Sequence, residues 1–260
     1  MPEVTTRTEL ETSYSNARHV DPPETSAPNG GYLAGLLLRG IESSLEDRRL
    51  RPRSVAVTYL RPTQFSSPLN VAVQTRSRGK TSAFYHAEGR QEEELRLTME
   101  ATYGLGSEGP RHQPKAIPSV PAPQDCPGFD LPNAMNPHFT QHCEYGLAPA
   151  PAPFSGAERA DMLVWIRLRQ RELDAPGMMF IMDAMFPPFY LAATRQFASP
   201  TTNLSVIFSS SFENQKAGAW LLARLSVLDW AGAWCMEEAK IWSREGELLA
   251  RALHARRVFV

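Results

Sequence analysis

Cysteine is scarce in this sequence: only Cys126, Cys143 and Cys235 occur among 260 residues. An odd number of cysteines with irregular spacing argues against a disulfide framework and against a zinc site. His138 and His142 precede Cys143, but they lie in a proline-rich stretch and no further residues complete a metal shell around them. We therefore expect neither a metal ion nor a cofactor.

Excess charge and long hydrophobic runs are also lacking. The 27 basic and 28 acidic residues leave a net charge of -1, so no overall electrostatic attraction toward nucleic acid or an anionic membrane is expected. No stretch approaches the roughly 20 apolar residues that a membrane span needs. The first residues do not combine a basic head with an apolar run, as a secretory signal would. These features predict a soluble, cytoplasmic protein without nucleic-acid or membrane partners.

Several catalytic motifs are missing as well. The sequence has no G-x-S-x-G, which argues against an α/β-hydrolase. It has no GxxxxGK[ST], so a nucleotide hydrolase with a loop of that type is not expected.

The first half begins with a helical pattern and continues with strand patterns. Apolar residues from Tyr32 to Leu45 recur at spacings of three and four, which predicts a buried helix. Gly30 and Gly31 open this helix and allow a close approach of other backbone or a ligand. Period-two alternation then predicts four strands, in SVAVTYLRP, PLNVAVQTRS, TSAFYHAEG and ELRLTMEATYG.

The second half repeats this order after a proline-rich segment. Eleven of the 22 prolines lie between Pro110 and Pro153, which is typical of a linker. After it, the patterns predict a strand in DMLVWIRLR, a second buried helix over residues 177–197 disturbed by Pro187 and Pro188, and four more strands. SVAVTYLRP corresponds to LSVIFSSSF, and RLTMEATYG to LARALHARR, so the sequence contains an internal duplication.

Four segments carry a more specific likeness: PNGGYLAGLLLRG, SVAVTYLRP, SPTTNLSVIF and IWSREGELLAR. They resemble the thioesterase-like double hotdog proteins, relatives of the TesB-type acyl-CoA thioesterases. The resemblance implies an α+β fold of two tandem hotdog modules, each an antiparallel sheet around a central helix, at residues 1–107 and 158–260, joined by a linker at 108–157. It also implies an acyl-CoA or acyl-carrier thioester as substrate. Exposed sheet edges in such proteins pair, so a homodimer is plausible.

The resemblance also implies site residues. TesB-type enzymes hold the attacking water with an Asp, a Thr and a Gln, and these positions fall on Asp183, Thr201 and His254, so the third member departs from the pattern. The family's Asp two places after the Thr is Asn203 here. His254 replaces the glutamine as a hydrogen-bond donor, or is itself the base, since imidazole titrates near neutral pH. The alternative without a catalytic role is an ordinary buried histidine on a strand.

The remaining candidates surround Asp183. Apolar surroundings are expected to raise the pKa of its carboxyl into a range useful for a base, unless the side chain points to solvent or caps a helix. The backbone N–H groups at Gly30 and Gly31, beside Asn29, are candidates for the oxyanion hole or serve only close packing. Met-rich apolar residues around Asp183, among them Met182 and Phe186, form an acyl pocket or ordinary core.

Three functions follow from these residues. The first is hydrolysis of an acyl thioester. The second is a non-hydrolytic step in polyketide biosynthesis, such as cyclisation, dehydration or isomerisation, which the histidine at position 254 would suit. The third is acyl binding without catalysis.

Overall fold

The structure is a computed structural model that describes residues 4–106, 109–110, 112–113, 117–128, 136–169, 173–214 and 218–260. Its described residues divide into two compact units. Unit 1 draws on Met1–Pro110, Leu131–His142 and Leu173–Ala184, and unit 2 on Arg111–Asp130, Cys143–Glu172 and Met185–Val260. The units are discontinuous in sequence, since Leu173–Ala184 belongs to unit 1 but lies within the predicted second module, 158–260. The module boundaries stay a prediction.

The sheet of unit 1 contains all four strands that the alternating pattern predicts. They are β2 (Arg51–Tyr59), β3 (Leu69–Arg78), β4 (Ser82–Gln91) and β5 (Glu94–Gly104). A short strand near the start of the chain, β1 (Val4–Thr8), pairs with β3. The order across the unit is β1-β3-β4-β5-β2, and every neighbouring pair is antiparallel.

The predicted first helix, α1 (Gly30–Ser44), packs on this sheet. Its side chains Leu37, Leu38 and Ile41 are fully buried. Gly40 permits the close approach to β3, because a Cβ atom at this position would lie 2.8 Å from Cγ1 of Val71. A helix on one face of an antiparallel sheet is the α+β arrangement that the first half predicts.

The second helical segment is shorter than predicted. Helix α2 (Ala175–Asp183) belongs to unit 1, where it packs against α1, and α3 (Phe189–Ala192) belongs to unit 2. The break falls at Pro187 and Pro188, because proline lacks the N–H that a helix interior needs and disfavours helical geometry in the preceding residue.

The sheet of unit 2 contains the five strands predicted for the second half. They are β7 (Asp161–Leu168), β8 (Thr201–Phe208), β9 (Leu221–Ala231), β10 (Trp234–Ser243) and β11 (Leu248–Arg257). One further strand, β6 (Cys143–Leu147), lies in the segment predicted as linker and pairs with β7. The order is β8-β11-β10-β9-β7-β6. None of the helices in the described ranges has the length and hydrophobicity of a membrane span.

The half-buried Glu42 lies near the end of α1. Burial raises the pKa of Glu42 to about 7, with a further increase from the negative charge of Asp174 and an opposing effect of Arg39 and Arg48. The fully buried Tyr103 also lies within the electrostatic influence of Glu42, and burial raises the pKa of its phenol. Unit 1 therefore accommodates Glu42 better protonated than ionised.

We expect Glu42→Gln to stabilise the protein at high pH. The pKa of Glu42 is higher in the folded chain than in the unfolded chain, so the folded state binds more protons between pH 4.5 and about 7. The free energy of unfolding of the wild type should therefore fall as pH rises through this window, and the neutral amide of the variant should remove that loss. Denaturant unfolding at pH 5 and pH 8 checks it, with the exposed Glu24→Gln as control. An equal effect of Glu42→Gln at both pH values would contradict the assignment.

Candidate active site

Asp183 is the last residue of α2, and its carboxylate lies at the start of α1 in unit 1. The backbone N–H of Gly31 donates to Oδ2 of Asp183 at 3.0 Å. The N-terminus of a helix carries a partial positive charge, and a charge-assisted bond from a backbone N–H further favours a carboxylate there. The side chain is half-buried. The sequence predicts apolar surroundings for Asp183. The structure adds a hydrogen-bond donor that favours the ionised form of its carboxyl group.

Asn29 connects the ends of the two helices. Its Oδ1 accepts the backbone N–H of Tyr32 at 2.9 Å, as the N-cap of α1. Its Nδ2 donates to the main-chain oxygen of Asp183 at 3.0 Å. One amide side chain, 1% exposed, therefore satisfies a donor at the start of α1 and an acceptor at the end of α2.

The two glycines at the start of α1 make room for Asp183. A Cβ atom on Gly30 would lie 2.9 Å from Oδ2 of Asp183, and one on Gly31 would meet Cβ of Asp183 at 2.9 Å and collide with the carbonyl oxygen of Met179. The hydroxyl of Tyr59 donates to the carbonyl oxygen of Gly30 at 2.8 Å. The N–H of Gly31, proposed from sequence as an oxyanion donor, holds the carboxylate here.

Thr201 opens β8 in unit 2 and contacts a buried ion pair. Its Oγ1 accepts a hydrogen bond from Nη1 of Arg256 at 2.9 Å, and Nε of Arg256 donates to Oε2 of Glu237 at 2.6 Å. Glu237 and Arg256 are 2% and 7% exposed. A bulge in β8 places Thr201, rather than Thr202, opposite Arg256, and such bulges commonly redirect side chains beside active sites.

His254 lies on β11, between Leu204 of β8 and Glu237 of β10 in the strand register. It is 3% exposed, so it occupies the interior side of the unit 2 sheet. Asn203 differs: it is exposed, and it alternates along β8 with the buried Leu204. A contact of Asn203 with substrate stays a prediction.

The two apolar candidates are both buried. Met182 is 1% exposed and lies on α2 in unit 1. Phe186 is 8% exposed and lies in unit 2, where its ring is 5.0 Å from that of Tyr190. The burial of both side chains is what ordinary core residues show, and acyl binding by these residues stays a prediction.

Sequence reasoning missed Glu237 and Arg256. The available signal was a charged residue at an inward position on each of two neighbouring strands, since Cys235 and Glu237 of β10 oppose Arg256 and His254 of β11 and all four are buried. A buried charge on a strand calls for a charged partner on the next strand. Within the described residues, no group of three or more His, Cys, Asp or Glu side chains has the arrangement of a metal site.

The family follows from two matches that together span both halves of the chain. Residues 20–104 match the model of the acyl-CoA thioesterase N-terminal domain. Residues 123–258 match the model of the acyl-CoA thioesterase C-terminal domain. The chain belongs to the acyl-CoA thioesterase family. Among curated proteins, none matches its sequence.

Solved structures show the same fold. A conserved hot dog fold protein from Alicyclobacillus acidocaldarius superposes with a TM-score of 0.86 at 20% identity, covering 99% of this chain and 93% of that one. A tesB protein of Mycobacterium avium subs paratuberculosis gives 0.78 at 17% identity, with the same coverage. The acyl-CoA thioesterase II of Mycobacterium marinum gives 0.73 at 21% identity and 88% coverage of both chains. This thioesterase-family chain is an α+β double hotdog, as its sequence predicts.

We expect Gly31→Ala to destabilise the thioesterase-family fold by about 1–3 kcal/mol, because the added methyl group collides with the backbone of α2 and displaces Asp183. Gly109→Ala is the matched control, since a Cβ atom there meets nothing within 4 Å. Denaturant unfolding measures both changes. Equal stability of the two variants would contradict the close α1–α2 contact.

Proposed function

We propose that this protein hydrolyses acyl thioesters, with Asp183 as the general base and Thr201 and His254 orienting the water. The observation that supports this most is the Asp183 carboxylate, which accepts the Gly31 N–H at the start of α1. A general base must be ionised before it takes a proton, and this environment favours that state. The family match favours thioesters of coenzyme A, and an acyl-carrier thioester is the second source of the same group.

The reaction balances with water as the only co-reactant. Asp183 takes a proton from water while the water oxygen attacks the thioester carbonyl carbon. The tetrahedral intermediate collapses, the carbon–sulfur bond breaks, and the thiolate takes up the proton held by Asp183 to leave as free thiol, which restores the Asp183 carboxylate. Hydrogen-bond donors aimed at the developing oxyanion contribute the largest share of such catalysis, and Thr201 and the Gly30 N–H are the proposed donors.

The role of His254 has two forms. As a donor, it replaces the amide that the related enzymes carry at this position. As a base, it shares or takes over the role of Asp183. Met182, Phe186, Asn203, Asn29 and Gly30 are the proposed contacts of the acyl thioester, and a homodimer in the cytoplasm is the proposed state.

We expect Asp183→Asn to lower kcat at least about 100-fold, because the amide cannot take a proton from water. The substitution keeps the size of the side chain and an oxygen that accepts the Gly31 N–H, so unfolding should change little. Thiol release from acyl-CoA substrates of several chain lengths is the measurement. Asp174→Asn, at the other end of α2, is the control, and its kcat should match the wild type. Hydrolysis by Asp183→Asn at the wild-type rate would refute the assignment.

His254→Gln separates the two forms of the histidine role. A glutamine keeps a donor, so a donor role predicts kcat within a few-fold of the wild type, whereas a base role predicts a loss comparable to that of Asp183→Asn.

The same assay tests the alternatives. The histidine at position 254 favours a proton-transfer enzyme acting on a polyketide-like thioester as the second candidate, and such an enzyme releases little thiol from simple acyl-CoA substrates. An acyl-binding protein would bind the substrate without turnover and would be indifferent to changes at Asp183 and His254.

A further inference from the structure

A chain of hydrogen bonds in unit 2 links the buried charges of Glu237 and Arg256 to Thr201. The backbone N–H of Phe189, at the start of α3, donates to Oε1 of Glu237 at 3.3 Å. Oε2 of Glu237 accepts from Nε of Arg256 at 2.6 Å, and Nη1 of Arg256 donates to Oγ1 of Thr201 at 2.9 Å and to the carbonyl oxygen of Ser199 at 3.4 Å. The guanidinium group is thus held on one side by a carboxylate and on the other by the first residue of β8.

A contribution to stability does not by itself explain why the ion pair of Glu237 and Arg256 is buried. Removing two charges from water costs several kcal/mol per ion, and apolar side chains of similar size often serve a core equally well. Here both partners are nearly excluded from solvent, and they occupy adjacent strands, β10 and β11, whose other inward positions include Cys235 and Ala252. The cost points to a role that an apolar pair cannot fill.

The chemistry of the guanidinium identifies that role. Arginine is a donor only and stays protonated, so Oγ1 of Thr201 must accept from Arg256. The single hydroxyl proton of Thr201 is then directed away from the guanidinium. The ion pair with Glu237 fixes the plane of the guanidinium group, and the bond to Oγ1 fixes the rotamer of Thr201.

We propose that Glu237 and Arg256 are positioning residues that lock the Thr201 hydroxyl as a hydrogen-bond donor toward the reacting water or the thioester oxygen. This inference rests on the proposed thioester hydrolysis and assigns a function to two residues outside the Asp183, Thr201 and His254 set. The pair acts through Thr201 and does not itself contact the substrate.

The test variant is Glu237→Gln/Arg256→Met. It leaves no unpaired charge in the interior, and the glutamine oxygen still accepts the Phe189 N–H. The matched control is Glu238→Gln/Arg251→Met, which removes the other ion pair between the same two strands, where Nε of Arg251 donates to Oε1 of Glu238 at 2.6 Å. Kinetics of thiol release and denaturant unfolding are measured for both.

We expect kcat of the test variant to fall about 10- to 100-fold with little change in KM, because a misplaced catalytic group costs rate rather than binding. The control should keep the wild-type kcat. In a Thr201→Val background, the test substitutions should have no further effect on kcat, since the group they position is gone. An unchanged kcat in the test variant, or an equal loss with and without the Thr201 hydroxyl, would overturn the proposal.

A failure of the proposed function is distinguishable from a failure of this inference. If the wild type releases no thiol, hydrolysis is refuted, and the positioning role is then judged from the methyl group of Thr201 by NMR relaxation. Increased mobility of that methyl group in Glu237→Gln/Arg256→Met, but not in Glu238→Gln/Arg251→Met, supports the role, and equal mobility in both overturns it. Should the test variant fail to fold, Arg256→Lys takes its place, because it keeps the charge without the planar guanidinium group. Its kcat and its Thr201 methyl mobility are then interpreted in the same way.

Discussion

The contact between the end of α2 and the start of α1 is the constraint on which unit 1 depends. Asn29 caps both helix ends, and the Asp183 carboxylate accepts the backbone N–H of Gly31 in the first turn of α1. Helix ends leave backbone groups that must find partners, so one arrangement satisfies the stability of two helices and the ionisation of a candidate base. The absence of a side chain on Gly31 permits it, because any Cβ atom there would meet α2.

In unit 2 a different arrangement holds the polar candidate side chain in place. Instead of a helix end, a buried ion pair between β10 and β11 directs the polar group, and a bulge in β8 brings Thr201 opposite Arg256. Both arrangements hold polar groups by hydrogen bonds within the protein, where such bonds are stronger than they would be in water. The duplicated fold thus fixes the two candidate side chains, Asp183 and Thr201, in two independent ways.

The sequence predicted the regular elements well, because periodicity reports burial directly. All nine strands of the alternating patterns and the first helix were correct, and the family resemblance was confirmed. The errors lie where the local pattern of residues does not determine the structure. The strand β6 (Cys143–Leu147) lies in a proline-rich segment and is defined by its pairing with β7. Helix α2 ends earlier than the apolar pattern predicts because of the prolines that follow it. The partners of Asp183 and Thr201, namely Gly31 and Arg256, come from distant parts of the sequence, so spacing could not reveal them.

The most direct test of this account is the amide resonance of Gly31 followed by NMR across an acid titration. A backbone N–H bonded to a carboxylate resonates downfield and moves when that carboxylate is protonated. The account predicts such a downfield resonance, a shift as the solution is acidified, and the loss of this titration in Asp183→Asn. A Gly31 amide that is indifferent both to pH and to the substitution would contradict it.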